Sequence, residues 1–170
     1  MHKLFFILYS LGMYLLSLYF DDKTNAYLTM LKKHIYKKTG IHYDIPFHIT
    51  LLSFQSDLED AYRLFESINF IPFELQFVSI GFLNTSIILI PIMNENLSSL
   101  YRQGLNSTIY VNERYKENNW FAHLTLSKHL SKEQLLESYQ AIQYDFKPFI
   151  GKVTKIGLAK SNPYEDIMLK

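Results

Sequence analysis

Apolar residues run from Leu4 to Phe20 without a single charge, and beyond them short β-like stretches alternate with segments of helical period. The second half of that first run, Tyr14 to Phe20, has the continuity of a strand covered on both faces. Asp21-Asp22-Lys23-Thr24 then offers N-cap chemistry to a helix with Ala26, Tyr27, Met30, Leu31, His34 and Ile35 along one side. Lys37, Lys38 and Gly40 suit its end, where the helix dipole favours cations and a glycine accepts the left-handed cap. A loop over 41–46 leads into a strand carrying His48-Ile49-Thr50-Leu51. A second helix is predicted from Ser56-Asp57-Leu58-Glu59 to Asn69, followed by strands over 73–81 and 86–93. The second of these strands is so uniformly apolar that both its faces need cover. A third helix is predicted over 94–105 and a polar surface loop over 106–119. Trp120-Phe121-Ala122 then opens a strand with His123-Leu124-Thr125-Leu126. Ser131 and Gln134 have capping-box spacing for a fourth helix, and strands over 149–159 and 167–169 close the chain.

The order strand, helix, motif strand, helix, strand occurs twice, and no Pro-, Gly- or Ser-rich linker separates the copies. This predicts an α+β (α/β-like) fold of two similar lobes, with antiparallel or mixed sheets, outer helices, and the two motif strands meeting at a central cleft. A length of 170 residues, 48% of them hydrophobic, fits one such domain over residues 13–170.

Residues 1–12 are read as an extension. The uncharged run behind His2 and Lys3 has the flavour of a signal or anchor, but no small-x-small cleavage site precedes Asp21, and Ser10, Gly12 and Ser17 interrupt it. Met13 is an alternative start. On this basis the protein is expected to be cytoplasmic, without a stable membrane partner.

The formal net charge of +1 argues against holding long nucleic acid by a basic stripe, and leaves room for a small or terminal phosphate gripped at a few points. The absence of cysteine removes disulfides, thiolate nucleophiles and sulfur ligands.

The repeated phrase carries the chemistry. Side chains alternate along a strand, so His48 projects with Thr50 and His123 with Thr125, while Ile49, Leu51, Leu124 and Leu126 face the other way. Two such pairs across a cleft supply a general base, a general acid and two hydroxyl donors, enough to open a cyclic phosphodiester without a metal. A lone His-x-Thr is common in half-buried strands; the duplication is what makes it informative. Two imidazoles also suit zinc, but there is no HExxH or Cys/His cluster, and no metal or cofactor is expected. Lys128 follows the second motif with the wrong strand parity for the site and is expected to be a surface lysine. Tyr43, Tyr110, Tyr115 and Phe121 are read as core or ordinary surface, and His34, His42 and His129, which lack a Thr partner, as structural or surface residues.

These residues resemble the two-histidine (2H) phosphoesterase superfamily, in particular its bacterial 2′-5′ RNA ligase and cyclic phosphodiesterase group. The likeness runs from Met13 to the C-terminus through both His-x-Thr motifs, the strand pair from Gly81-Phe82 to Ile92, Asn96-Leu97 opening a helix, and the Trp120-Phe121-Ala122 approach. Ala122 departs from the Pro that many relatives carry there, and removes no functional group.

The resemblance implies that His48 and His123 are the catalytic pair and that Thr50 and Thr125 bind phosphate oxygens. It implies hydrolysis of 2′,3′-cyclic phosphates to 2′-phosphates, with reversal giving 2′-5′ RNA ligation. The expected partners are RNA ends or small nucleotides carrying a cyclic phosphate or a 2′-5′ linkage, met by a monomer. The alternatives are a 2′-5′ oligonucleotide phosphodiesterase and a nucleotide- or phosphate-binding module without turnover.

Overall fold

The computed structural model describes residues 11–106 and 110–170. Residues 1–10, and with them most of the question of a signal, anchor or extension, lie outside the described residues.

The described chain runs β1 (Gly12–Phe20), α1 (Asp22–Thr39), β2 (His48–Ser56), α2 (Leu58–Ser67), β3 (Phe73–Leu83), β4 (Ser86–Pro91), α3 (Glu95–Leu105), β5 (Tyr110–Val111), β6 (Leu124–Ser127), α4 (Lys132–Ile142), β7 (Phe149–Lys160) and β8 (Glu165–Leu169). The helix boundaries follow from capping. Asp21, Asp57, Asn94 and Ser131 each accept a backbone N–H from the first turn of their helix, and Ser131 and Gln134 close a reciprocal capping box. Gly40 ends α1 at φ 69°, a left-handed cap that a side chain would disfavour.

Every strand pairing is antiparallel, which settles the choice between antiparallel and mixed sheets. The strands form one hydrogen-bonded network in the order β1-β2-β6-β4-β3-β7-β8, with β5 added to β2 and β1 also paired to β7. Two half-sheets are visible within it, and they are joined twice. The long β7 pairs β3 through Phe149–Val153 and β1 through Val153–Lys160, so it passes from one half to the other. On the opposite side β2 meets β6 through Ile49 and Leu124 alone. The predicted bilobal α+β arrangement is therefore present, with its lobes stitched into one ring of strands.

Burial along the motif strands alternates as the sequence predicts. Ile49, Leu51, Leu124 and Leu126 have no accessible surface, whereas His48, Thr50, His123 and Thr125 are half-buried on the other face. Helix α3 lies against β2, and Gly104 is what lets it approach: a Cβ there would run into the Leu52 side chain.

Three local expectations change. Both motifs open their strands: His48 is the first residue of β2 and His123 immediately precedes β6. The stretch predicted as irregular loop contains β5, which pairs with Phe54 and Gln55, and a single 3-10 turn over Glu113–Tyr115. Ser56 belongs to β2 and is buried, so Asp57 alone caps α2.

Candidate active site

The Ile49–Leu124 pairing brings the two motifs together. In an antiparallel ladder, residues on either side of a pair face one another crosswise, so His48 falls beside Thr125, and Thr50 beside His123, on the face opposite the two buried aliphatic chains. All four predicted site residues thus converge on one cleft. Ile49 and Leu124 belong to one continuous hydrophobic core that runs beneath both half-sheets, and this anchors the pair.

The two imidazoles are held alike. His48 Nδ1 lies 2.7 Å from the carbonyl oxygen of Pro46, and His123 Nδ1 lies 2.7 Å from that of Phe121. A carbonyl only accepts, so each Nδ1 carries a proton that it donates backwards along its own chain. Each ring is thereby fixed in orientation and tautomer, and Nε2 becomes the nitrogen that exchanges a proton with a ligand. Burial lowers the pKa of both histidines below the ordinary imidazole value, and the carbonyl hydrogen bond opposes that shift in each. The His123 ring also disfavours protonation of His48.

Trp120 ties the approach of the second motif to the first motif strand. Its indole N–H donates to the Thr50 carbonyl at 3.0 Å, while its ring stacks on Tyr101 at 4.1 Å between centroids. Ala122, in the position where the resemblance led one to look for Pro, is buried and contributes packing only.

The surroundings of the two histidines differ. Tyr19 lies directly across the β1–β2 ladder from His48. Tyr164 stacks against the His48 ring at 5.9 Å. The hydroxyls of Tyr19 and Tyr164 are 2.6 Å apart, and both reach Asp166 Oδ1, at 2.9 and 3.0 Å. Burial drives both phenols well above the ordinary tyrosine range, so they remain protonated donors.

On the other side, His123 lines a concavity of about 390 Å³ together with Leu83, Asn84, Arg114, Tyr115, Asn119, Trp120 and Phe121. The Phe121 ring is exposed and lies nearly parallel to His123 at 5.9 Å, and the Tyr115 phenol is raised in pKa by burial, an effect that its contact with the Thr50 side chain partly offsets. Arg114 has no ion pair among the described residues, in contrast to Lys116, which is paired with Glu113.

Lys128 corrects an expectation. Strand parity holds only where the strand continues, but β6 ends at Ser127, and the lysine turns to lie over the Tyr43 ring at 5.4 Å. It is half-buried, and its charge reaches His48, where it opposes protonation. It belongs to the site's electrostatics. His34 and His42 are structural or surface residues as expected, facing Asp145 and Asp44 at 2.9 and 2.8 Å. Among the described residues no three His, Asp or Glu side chains are grouped to hold a metal ion. No helix of the described residues is long and apolar enough to cross a membrane.

The residues not foreseen are Tyr19, Tyr164, Asp166 and Arg114. None sits in a motif, and only the alternation that places Tyr19 on one face of an apolar strand gave a signal for any of them.

No protein-family model matches the sequence, and no curated protein matches it. Solved structures do. Escherichia coli LigT in complex with 3′-AMP superposes with a TM-score of 0.65 at 12% identity, over 94% of this chain and 97% of that one. A structure described as a phosphoesterase gives 0.63 at 14% identity, over 94% and 97%. TT0787 of Thermus thermophilus gives 0.63 at 13% identity, over 92% and 96%.

Proposed function

We propose, starting from the two-histidine phosphoesterase fold that this chain shares with LigT, that the protein is a metal-independent phosphodiesterase acting on 2′,3′-cyclic phosphates of RNA ends or nucleotides. The observation that carries the proposal is the matched pair of imidazoles. Each is locked through Nδ1 to the carbonyl two residues before it, and the Ile49–Leu124 pairing brings the two together.

The chemistry follows from that arrangement. One Nε2 takes a proton from water as its oxygen attacks phosphorus. The other gives a proton to the ribose oxygen as the P–O bond breaks. Thr50 and Thr125, beside the opposite histidines, donate to the non-bridging oxygens and hold the phosphoryl group in line. Lys128 adds positive charge on the His48 side. Departure of the 3′ oxygen leaves a 2′-phosphate. With an RNA 5′-hydroxyl and a 2′,3′-cyclic phosphate the same groups join ends through a 2′-5′ bond. The protein is taken to act as a monomer, since the cleft is completed within one chain.

The concavity beside His123, with an exposed aromatic ring, amide side chains and the Arg114 guanidinium, suits a nucleoside carrying phosphate. LigT itself has been solved with 3′-AMP, phosphate, ATP and NADP+, and a nucleotide-binding role without turnover is the second reading.

The test is hydrolysis of a short RNA ending in a 2′,3′-cyclic phosphate, with EDTA present, by the wild type, His48→Ala and His123→Ala. Turnover lost by about 100-fold or more in each variant supports the reading. Nucleotide binding without turnover by the folded wild type replaces it with the binding-module reading.

A further inference from the structure

We infer that Lys155 of β7 forms a second anionic subsite in the cleft, holding a phosphate one nucleotide beyond the reacting phosphorus, on the side away from the His123 concavity. This rests on the phosphodiesterase reading and extends its substrate to a strand that occupies the cleft on both sides of the reacting group.

The sheet register places the lysine. His48 stands opposite Tyr19 in the β1–β2 ladder, and Tyr19 stands opposite Lys155 in the β1–β7 ladder. Directly opposed residues project from the same face of a sheet, so the three form one row across three strands. The rings of His48 and Tyr19 lie 6.1 Å apart on the cleft face, and Lys155 belongs to that face with them. Two strand spacings, about 10 Å, separate its Cα from that of His48. The flexible lysine stem spans part of this gap and brings the ammonium within one nucleotide of a phosphoryl group held at His48. The row leads away from β6, and so from the concavity lined by His123, Arg114 and Phe121.

Two features set this lysine apart from the others of β7. The first is its lack of a counter-charge. Lys152 stands opposite Glu74 and Lys160 opposite Glu165, so each has a carboxylate across its ladder. Lys155 has Tyr19 instead, lies beyond the register of β8, which starts at Gly157, and enters no ion pair among the described residues. Asp166, the carboxylate of the cleft, is opposite Ala159, four positions and about 13 Å further along β7.

The second feature is that no ring covers it. Lys32, Lys116, Lys128 and Lys170 each lie over an aromatic ring, whereas Lys155 makes no such contact among the described residues, although a tyrosine is directly opposite. Tyr19 leans the other way along β7. Its hydroxyl is held by Tyr164 and Asp166, and its ring passes so close over Gly157 that a Cβ there would stand 2.6 Å from it. The ring is thereby drawn off the row, and Lys155 is left exposed.

The class of ligand follows. A substrate with a second phosphate beyond the cleaved diester, as on a strand joined through a 2′-5′ bond, places that charge along the row. A cyclic mononucleotide places none there. Lys155 thus favours oligonucleotides without touching the reacting atoms. The formal net charge of +1 accommodates this, because one phosphate contact rather than a basic stripe supplies the preference.

Equilibrium binding tests the subsite without turnover. The probes are two 2′-5′-linked dinucleotides bridged by a methylenephosphonate that cannot be hydrolysed, one with and one without a terminal 3′-phosphate, and a nucleoside 2′,5′-bisphosphate. The wild type is expected to bind the 3′-phosphorylated dinucleotide more tightly than its partner, with a salt dependence of log Kd steeper by about 0.7, the value for one phosphate of a single strand. Lys155→Gln should raise Kd for that probe by about two- to fivefold, the range of one exposed charge pair, and abolish the extra salt dependence. It should leave the other two probes unchanged, and Lys152→Gln should leave all three unchanged. Equal weakening of all probes by Lys155→Gln, an equal effect of Lys152→Gln, or a wild type that does not distinguish the two dinucleotides overturns the subsite.

A wild type inactive on a cyclic phosphate, but binding the phosphorylated dinucleotide through Lys155, retires the phosphodiesterase reading and keeps the subsite. An active wild type whose binding is indifferent to Lys155 does the reverse.

Discussion

Ile49 of β2 sits opposite Leu124 of β6, and this one pair is the whole register between the two motif strands. Both side chains are fully buried, so the pair is anchored in the core while the residues on either side of it, of opposite polarity, face the cleft. A greasy contact thus sets the spacing of the catalytic candidates. The reason is the strand alternation itself: fixing the apolar residue of each motif fixes the polar residues next to it.

Replacing Thr50 or Thr125 by Val removes a hydroxyl while keeping the β-branched shape. Each variant is expected to lose about ten- to a hundredfold in kcat/KM on a cyclic phosphate, the worth of a hydrogen bond to a charged group. Unchanged thermal unfolding alongside the kinetic loss separates this from a folding defect, and unchanged kinetics would remove the threonines from the site.

Trp120→Phe keeps a stacking partner for Tyr101 but leaves the Thr50 carbonyl without its indole donor. A stability loss of about 1 kcal/mol is expected in denaturant titration. Turnover should fall as well, because the bond links the approach of one motif to the strand of the other.

Gly104→Val drives a side chain of α3 into Leu52 beneath the motif strand. The expected cost is about 1–3 kcal/mol from overpacking. Adding Leu52→Ala should return part of it, and strict additivity of the two changes would show that they do not meet.

Acidification should destabilise the protein through both motif histidines. Burial lowers their folded pKa values, so between those values and the unfolded one, about 6.5, the unfolded chain binds more protons. Stability therefore rises with pH through that window, is complete above it, and is lost as pH falls through the folded values. Thermal unfolding midpoints measured on either side of about pH 6.5 should converge in the His48→Asn/His123→Asn double variant.

Arg114→Gln should raise KM by about two- to fivefold, the range of an exposed charge pair, for a cyclic nucleotide that carries a second phosphate. The same variant should treat a cyclic nucleotide without one as the wild type does. Equal effects on both substrates would move Arg114 out of the nucleotide concavity.

Much of this protein is written in short stretches of chain. Asp21 and Gly40 bound α1, Ser131 and Gln134 cap α4, and the alternation that buries Ile49 and exposes Thr50 is visible before any folding, because caps and strand parity depend on residues only a few positions apart. The same locality made the two His-x-Thr phrases recognisable as a pair. Lys128 shows where local rules stop: strand parity does not extend to it, because β6 ends at Ser127 and the chain then turns it over Tyr43. The end of β6 is set by its pairing with β4, which no neighbour of Lys128 encodes. Tyr19 and Asp166 stand 147 positions apart and meet because β7 pairs with β1 on one edge and β8 on the other, so that Tyr19 reaches across Gly157 to Asp166. The identity of each motif histidine is local information. Its electrostatic partner, and with it the difference between the two rings, arises from sheet closure, which sums contacts over the entire chain.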